Sequence, residues 1–104
     1  MIHISEKEMG MVTKILRFYA PNCDVLVFGS RYKGNHRDWS DLDLAFIRLD
    51  GSSMDWEQRS ELAHAFSFSN IPYKVDIIDY NGLSDKFRKF VDSGNEIIFK
   101  GELH

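Results

Sequence analysis

Between Val25 and Ile47 the chain reads VLVFGSRYKGNHRDWSDLDLAFI, and this stretch leaves few folds open. The apolar run Val25 to Phe28 suits a strand buried on both faces, entered at Asp24. Gly29-Ser30 breaks it, Arg31 to Lys33 allow one helical turn before Gly34, and Asn35 to Ser40 form a polar loop in which Trp39 is the one large apolar residue. A second strand then runs from Asp41 to Ile47. Its side chains alternate, so Asp41 and Asp43 share one face while Leu42 and Leu44 share the other. Two like charges held together are costly unless a cation lies between them, and paired hard oxygen ligands suit Mg2+ or Mn2+. Gly29 permits close backbone approach, and the amides of Ser30 and Arg31 at the start of a helical turn would point at phosphate oxygens. The stretch predicts a metal site facing a phosphate-binding turn.

The flanking segments predict the layers around these strands. Ser5 and Glu8 make a capping-box pattern, after which Met9, Val12, Ile15, Leu16 and Tyr19 recur at helical spacing until Pro21. Asp55 or Ser53 caps a helix from Trp56 to about Phe68, with Trp56, Leu62, Ala63 and Phe66 as its apolar positions. Tyr73 to Tyr80 reads as a third strand, closed by Asn81-Gly82. A last helix spans Ser84 to Ser93 with Phe87, Phe90 and Val91 on one side, and Glu96 to Lys100 is either a short strand or a segment docked on the core. The expected architecture is a small α/β (α+β) domain, helices packed on a mixed sheet of three or four strands. At 104 residues, 43% of them hydrophobic, the chain has material for one modest core, so residues 1–104 are read as a single domain.

Charge and targeting signals narrow the function. A formal net charge of -3 argues against a broad basic face and hence against an extended nucleic-acid ligand. The lone Cys23 excludes an internal disulfide, and no apolar run approaches the roughly 20 residues that a membrane span needs. MIHISEKE lacks the form of a signal peptide, so the expected location is cytoplasmic.

A third carboxylate completes the pattern. Asp76 lies between Val75 and Ile77 on the third strand, so it leaves the apolar side as Asp41 and Asp43 do; Asp79 is the alternative, less favoured. Two metal ions held by three carboxylates and substrate phosphates can bind the attacking and leaving oxygens of an in-line phosphoryl transfer.

Gly29-Ser30, a ten-residue interval and Asp41-Leu42-Asp43 reproduce the GSx10DxD signature of the DNA polymerase β-like nucleotidyltransferase superfamily. GSRYKG, with Arg31 and Gly34, and SDLDLAF resemble its minimal nucleotidyltransferase branch, and the resemblance runs over nearly the whole chain. It implies the polymerase β-like fold and Mg2+-dependent transfer of a nucleoside monophosphate, usually AMP from ATP, to an acceptor hydroxyl. Carried over by position, Gly29 and Ser30 would hold the triphosphate and Asp41 and Asp43 would ligate two Mg2+ or Mn2+ ions. Asp76 would touch the catalytic metal and help deprotonate the acceptor. Minimal members resemble the antitoxin half of a two-gene pair whose other half is a helical HEPN-type ribonuclease, and some add AMP to a tyrosine of that partner. A chain this short, with no second domain to select an acceptor, fits a need for such a partner, and a homodimer or hetero-oligomer is the expected assembly.

Rival readings attach to several residues. The Arg31 side chain either contacts phosphate or is surface charge, and surface charge is favoured for Lys33. Trp39 either stacks on a base or packs its loop down, the latter favoured. His36 reads as a solvated loop histidine and Cys23 as structural. For the whole chain the alternative is a non-catalytic subunit that neutralises a helical partner by contact. Transfer to a small molecule ranks third, for want of an enclosing domain.

Overall fold

The computed structural model describes residues 2–103. In chain order the elements are α1 (Glu6–Tyr19), β1 (Cys23–Phe28), the single-turn α2 (Ser30–Lys33), β2 (Leu42–Arg48), α3 (Trp56–Ser67), β3 (Val75–Asp79), a 3-10 turn (Tyr80–Gly82), α4 (Asp85–Asp92) and β4 (Asn95–Phe99). The four strands make one mixed sheet in the order β3-β2-β1-β4. β1 runs antiparallel to both β2 and β4, whereas β2 and β3 are parallel. A parallel pair needs a crossover, and α3 provides it. The tail is therefore a strand, and the sheet has four.

The helices α1, α3 and α4 start where a side chain satisfies a free amide. The Ser5 hydroxyl accepts from the Glu8 amide at 3.1 Å while Glu8 accepts from the Ser5 amide at 3.3 Å, the reciprocal capping box. Asp55 accepts from the Gln58 amide at 2.7 Å and Ser84 from Phe87 at 3.3 Å. Caps of this kind stabilise a helix by about 1 kcal/mol each.

One sheet face is thickly covered. Val12 and Leu16 of α1 and Leu62 and Phe66 of α3 pack on Val25, Val27, Leu42, Leu44, Phe46 and Ile77. The opposite face has a smaller core, Leu26, Phe28 and Ala45 under Val91 of α4. β1 is buried on both faces, as its unbroken apolar run requires.

Two expectations about the helices need correction. Trp56 is 81% exposed and Ala63 is also exposed; only Leu62 and Phe66 of the four expected positions face the core. At 3.6 residues per turn Trp56 lies about 100° around α3 from the middle of the Leu62–Phe66 stripe, so the helix turns it outward. On α4, Val91 is fully buried but Phe87 and Phe90 are 41% and 46% exposed. β3 is also shorter than expected: Tyr73 and Lys74 precede it, and Tyr80 enters the 3-10 turn closed by the Leu83 amide on the Tyr80 carbonyl. Among the described residues no helix is long and apolar enough to cross a membrane.

Candidate active site

The site is built where β1 gives way to α2. Gly29 has φ 77° and ψ -154°, a conformation open in practice to glycine alone. A Cβ there would also overlap Oδ2 of Asp43. The turn that follows closes on itself: the amides of Tyr32 and Lys33 donate to the Gly29 carbonyl at 3.1 and 3.0 Å, and the Gly34 amide donates to Ser30 at 2.8 Å. Gly34 is left-handed at φ 86°, which stops the helix after one turn. The amides of Ser30 and Arg31 come before the first donors of this ladder and stay at its open end.

The acidic residues are arrayed beside that turn. Asp43 is the register partner of Phe28 on β1 and of Asp76 on β3. Directly paired residues project from the same face, so Asp76, Asp43 and Phe28 form a row across three strands. Burial pushes the Asp43 carboxyl up to about 6, reinforced by the charges of Asp76 and Asp41 and by a hydrogen bond with Asp76; Lys74 opposes the shift. Lys74 reaches Asp76 at 3.3 Å, but its side chain is 72% exposed. Burial and two neighbouring carboxylates thus outweigh the one lysine beside them.

Asp41 precedes the first residue of β2, one position later than the expected strand start. Its backbone is nonetheless held on both sides: the Arg31 Nε donates to the Ser40 carbonyl at 3.1 Å and the Leu42 amide donates to Lys74 at 2.9 Å. Asp79 does not join the group. Its register partner is Phe46, far along β2 from Asp43, and its Oδ2 lies beside Gly82 instead. Three hard oxygen donors on one face are a donor set suited to Mg2+ or Mn2+. Among the described residues no three acidic, histidine or cysteine side chains form a ready-made cage. The grooves along Lys14 to Tyr19 and beside Arg17 and Phe99 lie elsewhere, while the one between Phe66 and Val75 is lined in part by Lys74, the partner of Asp76.

Arg31 departs from both readings of its side chain. It is 4% exposed, and its guanidinium donates to the carbonyls of Ser40 at 3.1 Å, Asp38 at 3.1 Å and His3 at 3.2 Å. The same group lies 3.7 Å from the centre of the Tyr73 ring. Tyr73 in turn donates to Glu8 at 2.9 Å. Burial and that bond push the Tyr73 hydroxyl well above its ordinary range. Burial opposes the Glu8 charge, but donors from Tyr73 and Ser5 outweigh it and hold the carboxyl below its usual value. Arg31 thus offers phosphate its amide, while its side chain ties the loop from Asp38 to Ser40 to the N-terminal segment. No local pattern marks an arginine for burial, and Tyr73 and Glu8 gave no chemical signal either.

Trp39 is 75% exposed and does not pack its loop down. His36 is half-buried, its ring 5.1 Å from that of His3, rather than freely solvated.

Comparison with known proteins now decides the family. Residues 12–102 match the model of the family described as polymerase beta, nucleotidyltransferase. The chain belongs to that family. This nucleotidyltransferase is 38% identical over 90 residues to the probable protein adenylyltransferase MntA of Haemophilus influenzae, covering 86% of the present chain and 77% of the relative. It superimposes with a TM-score of 0.72, at 27% identity, on a chain of a toxin-antitoxin crystal structure with AMP-PNP, covering 90% of this chain and 73% of that one. A chain of the structure of a tri-AMPylated Shewanella oneidensis HEPN toxin in complex with MNT antitoxin shares the fold, at TM-score 0.66 and 24% identity, covering 90% of this chain and 70% of that one. The nucleotidyltransferase is an enzyme with a nucleotide substrate, on the polymerase β-like fold that its motif implied.

Proposed function

We propose that this nucleotidyltransferase moves AMP from ATP to a hydroxyl of a helical HEPN-type partner protein, and so acts as the antitoxin of a toxin-antitoxin pair. The observation that carries the reading is the row of Asp76 and Asp43 beside the Gly29 turn, with Asp41 fixed at its edge. Support for the acceptor class comes from the adenylyltransferase name of the Haemophilus relative and from the toxin-antitoxin structure that holds AMP-PNP.

In this mechanism Gly29 lets the triphosphate approach the backbone, and the Ser30 and Arg31 amides donate to its oxygens. Asp41 and Asp43 would hold two Mg2+ or Mn2+ ions, with Asp76 on the catalytic one. Such ions, when bound, supply positive charge to the phosphates and to the departing pyrophosphate. Asp76 accepts the proton of the incoming hydroxyl, whose oxygen bonds to the α-phosphorus as the bridging oxygen leaves with pyrophosphate. A bound cation would lower the raised Asp43 carboxyl again, because its positive charge would offset the neighbouring carboxylates.

The contact-only reading has an observation of its own. Phe18 on α1 is 77% exposed, beside Ile15 and Tyr19, a surface suited to a partner. A steric role, however, makes no demand on Gly29 or on three clustered carboxylates. The test is incubation of the native chain and of the Asp41→Ala, Asp43→Ala double variant with α-labelled ATP, Mg2+ and a HEPN-type helical protein as acceptor. Label on the partner with the native chain alone is the expected result. No label with any metal or nucleotide, while the double variant still binds and inhibits the partner, would sink the transferase in favour of contact.

A further inference from the structure

The row that begins with Asp76 and Asp43 does not end at the carboxylates. Phe28 is next on β1, and its ring is held edge-on to two others, Phe90 at 6.3 Å and Phe87 at 6.4 Å between centroids. Phe87 and Phe90 are themselves 5.7 Å apart. Phe28 is almost fully buried, yet the two α4 rings keep nearly half their surface exposed. The Lys33 ammonium, on the same turn as Ser30, lies 5.0 Å from the centre of Phe90. An apolar, π-faced wall therefore stands on the carboxylate face, one residue from the phosphate turn, with a cation at the junction.

We infer that Phe87 and Phe90 form the wall on which the base of the incoming nucleotide stacks, with Lys33 between base and phosphates; this rests on the nucleotidyltransfer reading. Directly paired strand residues have Cβ atoms about 5 Å apart, so Phe28 and the rings upon it begin one side chain away from Asp43. A ribose separates base from α-phosphate on a similar scale. Stacking on an aromatic face is tolerant of base identity, because every base has a π-face. The wall retains the nucleoside without choosing it.

Two alternatives on this chain are weaker. Trp39 is more exposed, but its loop is tied through Arg31 to the side of Tyr73 and Glu8, and its cation neighbour is Arg37 at 6.0 Å. Phe18 lies on α1, which packs on the opposite sheet face.

Calorimetry with Mn2+ on the full chain tests the inference, using ATP and inorganic tripolyphosphate as paired probes. The Phe87→Ala, Phe90→Ala variant, whose lost rings are half-exposed, should bind ATP about tenfold or more weakly and tripolyphosphate unchanged. Phe90→Trp with Phe87 intact should retain ATP affinity, Phe90→Leu should lose part of it, and GTP should follow ATP throughout. The wall is overturned if both probes weaken together, if Trp39→Ala carries the loss instead, or if the double variant keeps ATP but releases the partner protein. A native chain that binds neither probe removes the nucleotidyltransfer reading and the wall with it. ATP binding that is indifferent to both phenylalanines removes the wall alone.

Discussion

Gly29 and Asp43 are packed against each other: a methyl group on the glycine would overlap the aspartate Oδ2. The phosphate turn and the central carboxylate are therefore in backbone-to-side-chain contact. Gly29→Ala meets a second penalty at φ 77°, where an L side chain is strained. The two together should cost on the order of 2–4 kcal/mol, visible as a lowered melting temperature, with transfer activity abolished. Ser30→Ala, at the next position, should leave stability nearly unchanged. Thermal melts of the two variants side by side check this.

The acidic row gives stability a distinctive pH dependence. Asp43 keeps its proton to about 6 in the folded chain, against an ordinary value of 3.8. Folding thus takes up a proton between these values, and this group's contribution is complete below about pH 4 and lost as pH rises through 6. Without divalent cations the melting temperature should fall over that window, and added Mg2+ or Mn2+ should restore it at pH 7 but not at pH 4.5. Melting curves from pH 4 to 8, with and without metal, check the sign. A metal-free melting temperature that climbed through pH 6 would remove Asp43 as the source.

Replacing the charge should expose a trade between stability and chemistry. Asp43→Asn keeps the shape and removes the repulsion from Asp76 and Asp41, so the metal-free variant should gain on the order of 1 kcal/mol at pH 7 after allowance for partial exposure. That corresponds to several degrees in melting temperature. Transfer should be lost, and Mn2+ should no longer stabilise the protein. Lys74→Ala should act in the opposite sense on stability, weakly, because its pair with Asp76 is largely exposed.

The parts legible in the sequence were those with a local pattern. Capping residues and apolar periodicity located the helices, and the alternation around Leu42 and Leu44 assigned the faces of β2 without knowledge of its neighbours. The choice of Asp76 over Asp79 rested on its place inside β3 between apolar neighbours; in the parallel register Asp76 is the partner of Asp43, and Asp79 of Phe46. What stayed hidden depends on contacts distant in sequence. Trp56 is apolar but about 100° out of phase with Leu62 and Phe66, and only the packing of that stripe on the sheet shows that it faces out. The depth of Arg31 is set by carbonyls from His3 and Ser40 and by the ring of Tyr73, which no spacing rule joins. The aromatic trio likewise needs α4 to fold back over Phe28.

Arg31 allows the sharpest test of how the site is held. A buried guanidinium that satisfies three carbonyls and stacks on a ring cannot be replaced by an ammonium, whose donors radiate from one point. Arg31→Lys should therefore destabilise by about 2–4 kcal/mol, and Arg31→Met by a similar amount, since either leaves buried carbonyls unpaired. Tyr73→Phe keeps the ring beneath the guanidinium and loses only the bond to Glu8, so it should cost about 1 kcal/mol. The ordering separates a clamp from a phosphate ligand. If the guanidinium served phosphate instead, Arg31→Lys would weaken tripolyphosphate binding while leaving the melting temperature in place. Chemical denaturation alongside tripolyphosphate titration of the three variants checks the distinction. The clamp predicts that stability falls first, and that activity follows because Asp41, one residue past the Ser40 carbonyl, loses its fixed position beside Asp43.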